Sequence, residues 1–463
     1  MGLSTDTCDA ITSHIDNKWG SFVVEISRDR PPQDKIDGLL TVFAAGSSPG
    51  PDTPEEVIEI TAFDESSVAG DLLFQIDAKL GRLTRSDLGT NNTRPLFEES
   101  TRTSRREFLL SVRTGFRIRS DLPVISEEVC EAKYGCTRCV DTCPSEALRL
   151  NGTAITLSGN DCTRCGLCAA KCPIGAVQMP DFSDGALLGM LEEIDESDAP
   201  RKTLVLTCDH TAVRPMPWLV VEKVGGIGYI GLRQLAMLAA SSLGGVAVVC
   251  PDGKCVGADS TRDAVNALAA SMEENSHSPF VVFLSHGDPN TRLNSLHLSS
   301  KSRTAHPTWS MDRWKDYITA ITFVSTRSSS KGLGLTELVV SDTCTLCGAC
   351  AECCPHDSLQ IKGRQLVFNA SVCTGCGFCV TTCPEHSLTL LEASKPIDEA
   401  LEQVRLHEDE LVLCVRCGEP IGSVRLMKKL SSFEGTRSGF LRYCPSCRRL
   451  AISETLSGGA GND

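Results

Sequence analysis

The sequence predicts an α+β multidomain chain: two small cysteine-repeat domains, a central α/β domain between them and a C-terminal four-cysteine ribbon. Three observations predict it. The 463 residues suffice for about three domains at roughly 100–200 residues each, far more than a small disulfide-stapled scaffold needs. The 25 cysteines are clustered: Cys8, then eight from Cys130 to Cys172, three at Cys208, Cys250 and Cys255, nine from Cys344 to Cys383, and four from Cys414 to Cys447. Aromatic residues make up only 5%, so the repeat regions must fold around something other than a large apolar core.

Charge and hydropathy exclude several functions. The net charge of −14 argues against a nucleic-acid partner, which needs a basic face. No apolar run reaches the roughly 18 residues of a spanning helix, because Leu235–Val249 is interrupted by Ser241, Ser242, Gly244 and Gly245. Met1–Asp9 has acids and no apolar core, so a secretory signal is not expected. A cytoplasmic location and thiolates held for metal are therefore expected in place of disulfides.

Residues 1–98 contain strand-like runs at Ser21–Ile26 and Val57–Phe63, a Gly, Ser and Pro loop at Gly46–Pro54, and a helical stretch at Leu72–Leu80. They are expected to form a small α/β or α+β module. Residues 99–122 are arginine-rich. Thr103–Leu109 matches a twin-arginine export motif, but Arg113, Arg117 and Arg119 stand where an apolar segment is required. The segment resembles arginine motifs that precede the clusters of some accessory proteins of molybdoenzymes. It reads equally as a solvated helix face or as a docking patch for an acidic redox partner.

The cysteine repeats define residues 123–183 and 336–394. The pattern C-x2-C-x2-C-x3-C-P occurs at Cys162, Cys165, Cys168, Cys172, Pro173, at Cys344, Cys347, Cys350, Cys354, Pro355, and at Cys373, Cys376, Cys379, Cys383, Pro384. A fourth copy, Cys130, Cys136, Cys139, Cys143, Pro144, has five residues in its first gap instead of two. Three thiolates on one short loop wrap three corners of a cubane cluster, and the fourth reaches the other cluster of the pair. The expected ligand sets are therefore crossed: Cys130, Cys136, Cys139 with Cys172; Cys162, Cys165, Cys168 with Cys143; Cys344, Cys347, Cys350 with Cys383; and Cys373, Cys376, Cys379 with Cys354. Cys353 is left over and reads as a small buried residue. Around Asn151–Gly152 and Lys362–Gly363, short apolar runs predict a hairpin in each pair. Both regions resemble bacterial ferredoxins with two [4Fe-4S] clusters. That resemblance implies a polyferredoxin-type protein with about four such clusters.

Residues 200–290 read as α/β. Thr203–Thr207 and Gly245–Val249 are apolar strands ending at Cys208 and Cys250, Leu232–Leu243 and Ala264–Met272 have helical spacing, and Pro279–Leu284 is a further strand. A strand ending in cysteine, a helix, then a strand ending C-x4-C (Cys250, Cys255) resembles the iron-sulfur (delta) subunit of methyl-viologen-reducing hydrogenase. The resemblance implies a [2Fe-2S] cluster at Cys208, Cys250 and Cys255, with His210 as a further candidate ligand, although the family's additional cysteines are absent. A scaffold without metal is the competing expectation. Gly225, Gly226 and Gly228 do not match a dinucleotide loop, because no apolar strand clearly precedes them and their order is wrong. Residues 291–335 read as a linker or lid, and His286, His297 and His306 follow no metal spacing.

In residues 408–452, Cys414, Cys417, Cys444 and Cys447 form two C-x2-C knuckles, the pattern of a four-thiolate zinc site. It resembles a zinc ribbon, and rubredoxin-type iron sites have similar knuckles. Arg425, Lys428, Lys429, Arg442, Arg448 and Arg449 read as a solvated or docking face. Sixteen cysteines go to cubane motifs and four to the ribbon, and no catalytic constellation is evident. The expected function is an iron-sulfur electron-transfer subunit relaying electrons between partner oxidoreductases of hydrogenase, heterodisulfide reductase, formate dehydrogenase or molybdoenzyme type. The alternative is a redox-sensing or maturation accessory protein for a molybdoenzyme or hydrogenase-type complex.

Overall fold

The computed structural model describes residues 122–196, 202–208, 211, 213, 216, 218–251, 253, 255–272, 280–295, 307–310, 312–325, 328–432 and 438–458, and the backbone of three N-terminal strands. These strands, β1 (Phe22–Glu25), β2 (Leu39–Ala44) and β3 (Val57–Thr61), form an antiparallel sheet in chain order. The sequence reading anticipated β1 and β3 but not β2. The helix expected at Leu72–Leu80, the segment Arg102–Arg119, and Cys8, Asp209, His210, His297 and His306 lie outside the described residues.

The chain divides into two units, residues 1–130 with 137–326, and residues 131–136 with 327–463. In the first unit the repeat region is framed by β4 (Val124–Ile125) and encloses a hairpin of β5 (Leu148–Asn151) and β6 (Ala154–Leu157). It closes with β7 (Val177–Gln178), antiparallel to β4. Gly152 turns the hairpin with φ of 64°, a conformation open to glycine. The helix Asp184–Glu196 then leads into a parallel sheet.

That sheet contains β8 (Thr203–Cys208), β9 (Leu219–Val224), β10 (Gly245–Val249) and β11 (Val281–Leu284), in the order β11-β10-β8-β9. Every described residue of β8 and β10 is buried, as expected of a parallel strand covered on both faces. The crossovers carry the helices Leu232–Ala240 and Ala258–Ser271. β9 corrects the sequence reading: a strand does precede Gly225. Glu222 and Lys223 disguised it, and an edge position leaves room for the exposed Lys223. Residues 313–324, read as linker, form a helix whose Trp314, Tyr317, Ala320 and Ile321 are buried; Asp312 caps it by accepting from the Lys315 N–H at 3.2 Å.

A buried polar knot joins these parts of the first unit. Asp184 is 2% exposed and ion-paired to Arg233 and, at 3.3 Å, to Arg313. Gln178 donates to Asp184 at 2.7 Å and to the Gly175 carbonyl at 2.6 Å, and Arg313 donates to the same carbonyl at 2.8 Å. Gly175 lies directly after Cys172–Pro173–Ile174, so the knot holds the end of a cysteine motif.

The second unit repeats the frame with β12 (Thr336–Val340), a hairpin of β13 (Leu359–Lys362) and β14 (Gln365–Asn369), and β15 (Leu388–Glu392), which pairs antiparallel with β12. β16 (Gln403–Glu408) extends that hairpin to three strands. β17 (Leu411–Leu413) and β18 (Pro420–Ser423) form the ribbon hairpin, followed by the helices Val424–Ser432 and Pro445–Gly458. The core of the repeat region is small, with Leu338, Leu359, Leu366, Phe368 and Leu388 packed among Cys350, Cys373 and Cys383. No described helix is long and apolar enough to cross a membrane.

Candidate metal centres

The four cysteine motifs share one backbone design. The residue before the second cysteine has positive φ in every copy: Gly135 (88°), Arg164 (56°), Leu346 (48°) and Gly375 (70°). So does the third residue after the last cysteine: Glu146 (52°), Gly175 (61°), Asp357 (51°) and His386 (47°). Five of these eight are not glycine, and such conformations are uncommon for them and concentrate at functional sites. Alternating right- and left-handed residues turn successive N–H groups inward, the concavity that holds anionic iron-sulfur clusters. A third positive-φ residue, directly after the second cysteine, appears as Gly166 (74°), Gly348 (83°) and Gly377 (83°). The stretched copy lacks it, because Thr137 stands there with φ of −122°.

Hydrogen bonds to the fourth cysteine recur as well. The residue four positions on donates to its sulfur: Ala176 N–H to Cys172 at 3.1 Å, and Ser387 N–H to Cys383 at 3.4 Å. The Ser358 and Ser387 hydroxyls lie 3.1 and 3.3 Å from the Cys354 and Cys383 sulfurs. Burial opposes ionisation of Cys383, yet these donors bring its thiol below the ordinary value. Cys143 is likewise lowered, with Ser145 and the Leu148 and Ala147 N–H groups outweighing burial.

The thiols converge in sets. Burial pushes Cys350 up to about 12, and Cys344, Cys347 and Cys383 add to it. Burial also raises Cys379 to about 12, with Cys373, Cys376 and Cys354 contributing. Cys168 rises to about 12 by burial, helped by Cys165, Cys139 and Cys162. Thiols raised in this way ionise when a cation arrives, so loading releases protons. A pocket is lined by Cys344, Cys347, Cys350 and Cys383 with Ile361, Leu366 and Leu388, a mixture of thiol and apolar wall suited to a cubane. Cys130 and Cys136 are half-buried, while Cys139 and Cys172 are buried. Cys353, expected to be buried, is half-buried and donates to the Cys350 carbonyl at 3.5 Å.

The inserted residues of the stretched motif have a use that the sequence did not reveal. Glu131, 4% exposed, accepts from the Thr374 hydroxyl at 2.9 Å and pairs with His356. Tyr134 stacks obliquely on Phe378, with ring centroids 5.4 Å apart. Burial raises Cys376 to about 11, and Glu131 is among the charges that add to it.

In the ribbon, the sulfurs of Cys414, Cys417, Cys444 and Cys447 all lie within 4.8 Å of one another, the donor set of a tetrahedral thiolate site. Cys414 is lowered to about 6: burial opposes this, and the N–H groups of Cys444, Arg416 and Cys417 outweigh it. Part of the basic arm is engaged within this unit. Arg425 donates to the Asp342 carbonyl, Lys429 pairs with Glu385, and Arg448 donates to the Tyr443 carbonyl at 3.3 Å.

In the central sheet, Cys208 ends β8 and Cys250 directly follows the neighbouring β10; burial pushes the Cys255 thiol up to about 12, and Cys208 and Cys250 add to it. The glycines after β9 serve packing. A Cβ on Gly228 would lie 2.5 Å from the Cys165 carbonyl oxygen and 2.6 Å from that of Val256, and one on Gly231 would lie 2.3 Å from the Ala170 carbonyl oxygen. The cluster loop Cys162–Cys172 is thus seated on this turn. His286 is exposed.

Comparison with known proteins agrees with the loop geometry. Residues 133–183 and 337–384 each match a 4Fe-4S dicluster domain. The chain is 40% identical over 45 residues to an uncharacterized ferredoxin of Methanocaldococcus jannaschii, covering 10% of this chain and 73% of that protein. It is 38% identical over 77 residues to a ferredoxin-like protein in the nif region of Azotobacter vinelandii, covering 14% and 84%. A ferredoxin of Rickettsia felis matches at 33% over 55 residues, covering 12% and 49%. With two dicluster domains, [4Fe-4S] clusters as cofactors and an iron-sulfur electron-transfer role, this polyferredoxin-type chain belongs to the ferredoxin family.

Proposed function

We propose that the chain is an electron-transfer subunit that relays electrons between partner oxidoreductases through four [4Fe-4S] clusters. The observation that carries this is the fourfold recurrence of the left-handed residues around the cysteines, at eight matching positions. Each cluster would supply one-electron chemistry. The chain's part is to hold it with the crossed cysteine sets, to aim N–H groups at it, and to tune it through donors such as Ser358 and Ser387. Cys414, Cys417, Cys444 and Cys447 would hold zinc as a structural ion. The hydrogenase-subunit resemblance of residues 200–290 favours partners of the hydrogenase, heterodisulfide reductase, formate dehydrogenase or molybdoenzyme class, in a reducing compartment such as the cytoplasm.

One observation favours a second reading, a redox-sensing or maturation accessory protein: the first motif departs from the other three at Thr137 and at its inserted residues Glu131–Gly135. Anaerobic purification with iron, sulfide and zinc analysis, followed by an EPR redox titration, separates the two. About sixteen iron and one zinc per chain with reversible cubane signals is the expected result. Twelve iron, with loss of one cluster in air coupled to changed partner binding, would replace the relay by the sensor.

A further inference from the structure

The residues inserted into the first cysteine motif make their side-chain contacts at a different cysteine set from their own. Glu131–Tyr134 is a single 3-10 turn, closed by the Gly135 N–H on the Ala132 carbonyl at 2.8 Å and by the Cys136 N–H on the Glu131 carbonyl at 3.3 Å. Residues i and i+3 of such a turn lie on one face, so the Glu131 carboxylate and the Tyr134 ring project together. Residues 131–136 belong to the second unit. There the Thr374 hydroxyl, between Cys373 and Cys376, lies 2.9 and 3.0 Å from the two carboxylate oxygens of Glu131. His356, two residues after Cys354, bonds to the same carboxylate. Phe378, directly before Cys379, meets the Tyr134 ring with centroids 5.4 Å apart. The turn thus contacts a residue within two positions of every cysteine in the expected set Cys354, Cys373, Cys376 and Cys379.

Packing alone does not call for a carboxylate here. Glu131 is 4% exposed and Thr374 2%, and a buried carboxylate is costly to desolvate where an amide or an apolar side chain would fill the same volume. What the carboxylate adds is negative charge in a place shielded from water, where a charge acts more strongly than it does in solvent. The other cysteine set of this unit supplies the comparison. Thr345 stands between Cys344 and Cys347 as Thr374 stands between Cys373 and Cys376, and its hydroxyl also donates to a carboxylate, that of Glu385, at 3.3 Å. Glu385 is ion-paired with the Lys429 ammonium. Glu131 has no lysine or arginine partner among the described residues.

We propose that Glu131 is a positioning and tuning residue for the site formed by Cys354, Cys373, Cys376 and Cys379, holding a [4Fe-4S] cluster there at a lower potential than one at Cys344, Cys347, Cys350 and Cys383. The potential of such a cluster follows its net charge, the hydrogen bonds to its sulfurs and its exposure. A carboxylate that no ammonium or guanidinium offsets disfavours an added negative charge beside it, whereas the Glu385 carboxylate is offset by Lys429. Glu131 ligates nothing: it acts through its field and through the loop that Thr374 and His356 anchor. Burial raises the Cys376 thiol to about 11, and Glu131 adds to the rise, the same field acting on a ligand. The proposal rests on the cubane and electron-transfer reading of these motifs and adds to it an order of potentials within the second pair. It also gives the stretched spacing of the first motif a purpose, since a first gap of two residues leaves no room for the turn Glu131–Tyr134.

The test uses the full chain, purified anaerobically, with iron and sulfide analysis, amide hydrogen exchange and an EPR redox titration. Glu131→Gln keeps the size of the side chain and removes its charge. It should retain the iron content of the unaltered chain, leave exchange across residues 373–380 unchanged, and move one cubane midpoint to higher potential. Glu131→Asp, which keeps the charge, should hold that midpoint below its value in Glu131→Gln. Ser387→Ala acts on the Cys383 sulfur and should move a different midpoint, because Cys383 belongs to the other set. Unmoved midpoints in Glu131→Gln would overturn the proposal, as would a shift of the same midpoint by Glu131→Gln and Ser387→Ala. Loss of four iron atoms from Glu131→Gln would make the residue a support of the fold and overturn the tuning role as well. Absence of cubane signals from the unaltered chain would defeat the electron-transfer reading itself, whereas cubane signals that Glu131→Gln does not shift defeat the tuning alone.

Discussion

The two cysteine-repeat regions have the same loops and lean on different things. In the first, glycines are required twice over: Gly166 has φ of 74°, and a Cβ there would also lie 2.0 Å from the Tyr229 ring. In the second, Gly377 has φ of 83° and no neighbour within 4 Å of where a Cβ would lie. The first region is thus seated on a parallel sheet through glycine contacts and the Asp184 knot. The second is extended by β16 and bonded to the ribbon through Ser423, Arg425 and Lys429. Cluster-loop geometry is local and carried by the motif, whereas stability is borrowed from whatever each loop packs against.

The largest expected effect is from removing iron. Structural metals contribute on the order of 10 kcal/mol to small folds, and the core around Leu338 and Phe368 is too small to replace that. Chelation under reducing conditions should erase amide protection across residues 336–394 in hydrogen exchange while β8 and β10 keep theirs. Equal loss in both would refute the independence of the central sheet.

Next is Asp184→Asn, which leaves Arg233 and Arg313 without their buried anion, at a cost of about 3–5 kcal/mol. All four tryptophans, Trp19, Trp218, Trp309 and Trp314, lie in the first unit, so fluorescence reports that unit alone. The denaturation midpoint by fluorescence should fall, and an unchanged midpoint would mean that the knot is ornamental.

Gly228→Ala should cost the first unit about 1–3 kcal/mol through overpacking against two carbonyls. Gly377→Ala should instead cost the second region roughly 1–2 kcal/mol through backbone handedness alone. Fluorescence detects the first and not the second, and a reversal would undo the contrast between the two regions.

Much of this was legible in the sequence because it is local. The C-x2-C-x2-C-x3-C-P spacing marks the loops, Gly152 and Gly363 mark the hairpins, and the apolar runs ending at Cys208 and Cys250 mark two strands. What escaped depends on contacts distant in the chain. The charges of β9 hide a strand that only the sheet order reveals, and the glycines of residues 225–231, which match no dinucleotide loop, serve the close approach of the Cys165 carbonyl to Gly228. Glu131 gave no sign of its use, since its partners Thr374 and His356 lie more than 200 residues away. Left-handed Arg164, Leu346 and His386 were hidden for another reason: nothing in their side chains announces a positive φ that the cluster loop imposes.

The smallest predicted effect separates the two regions at their fourth cysteines. Cys383 receives both the Ser387 hydroxyl at 3.3 Å and its N–H at 3.4 Å, whereas Cys172 receives the Ala176 N–H at 3.1 Å, from a residue with no side-chain donor. Hydrogen bonds to sulfur withdraw charge from a cluster and so ease its reduction. Ser387→Ala should therefore leave iron content unchanged and move one cubane signal to lower potential in an EPR titration. The hydrogen bond itself is worth only about 1 kcal/mol, so the fold should survive. Ala176→Ser, in the first region, should move a signal upward if the serine adopts the Ser387 geometry. A null result in both variants would mean that the backbone donors alone set these potentials, and that the two regions differ in packing but not in electronics.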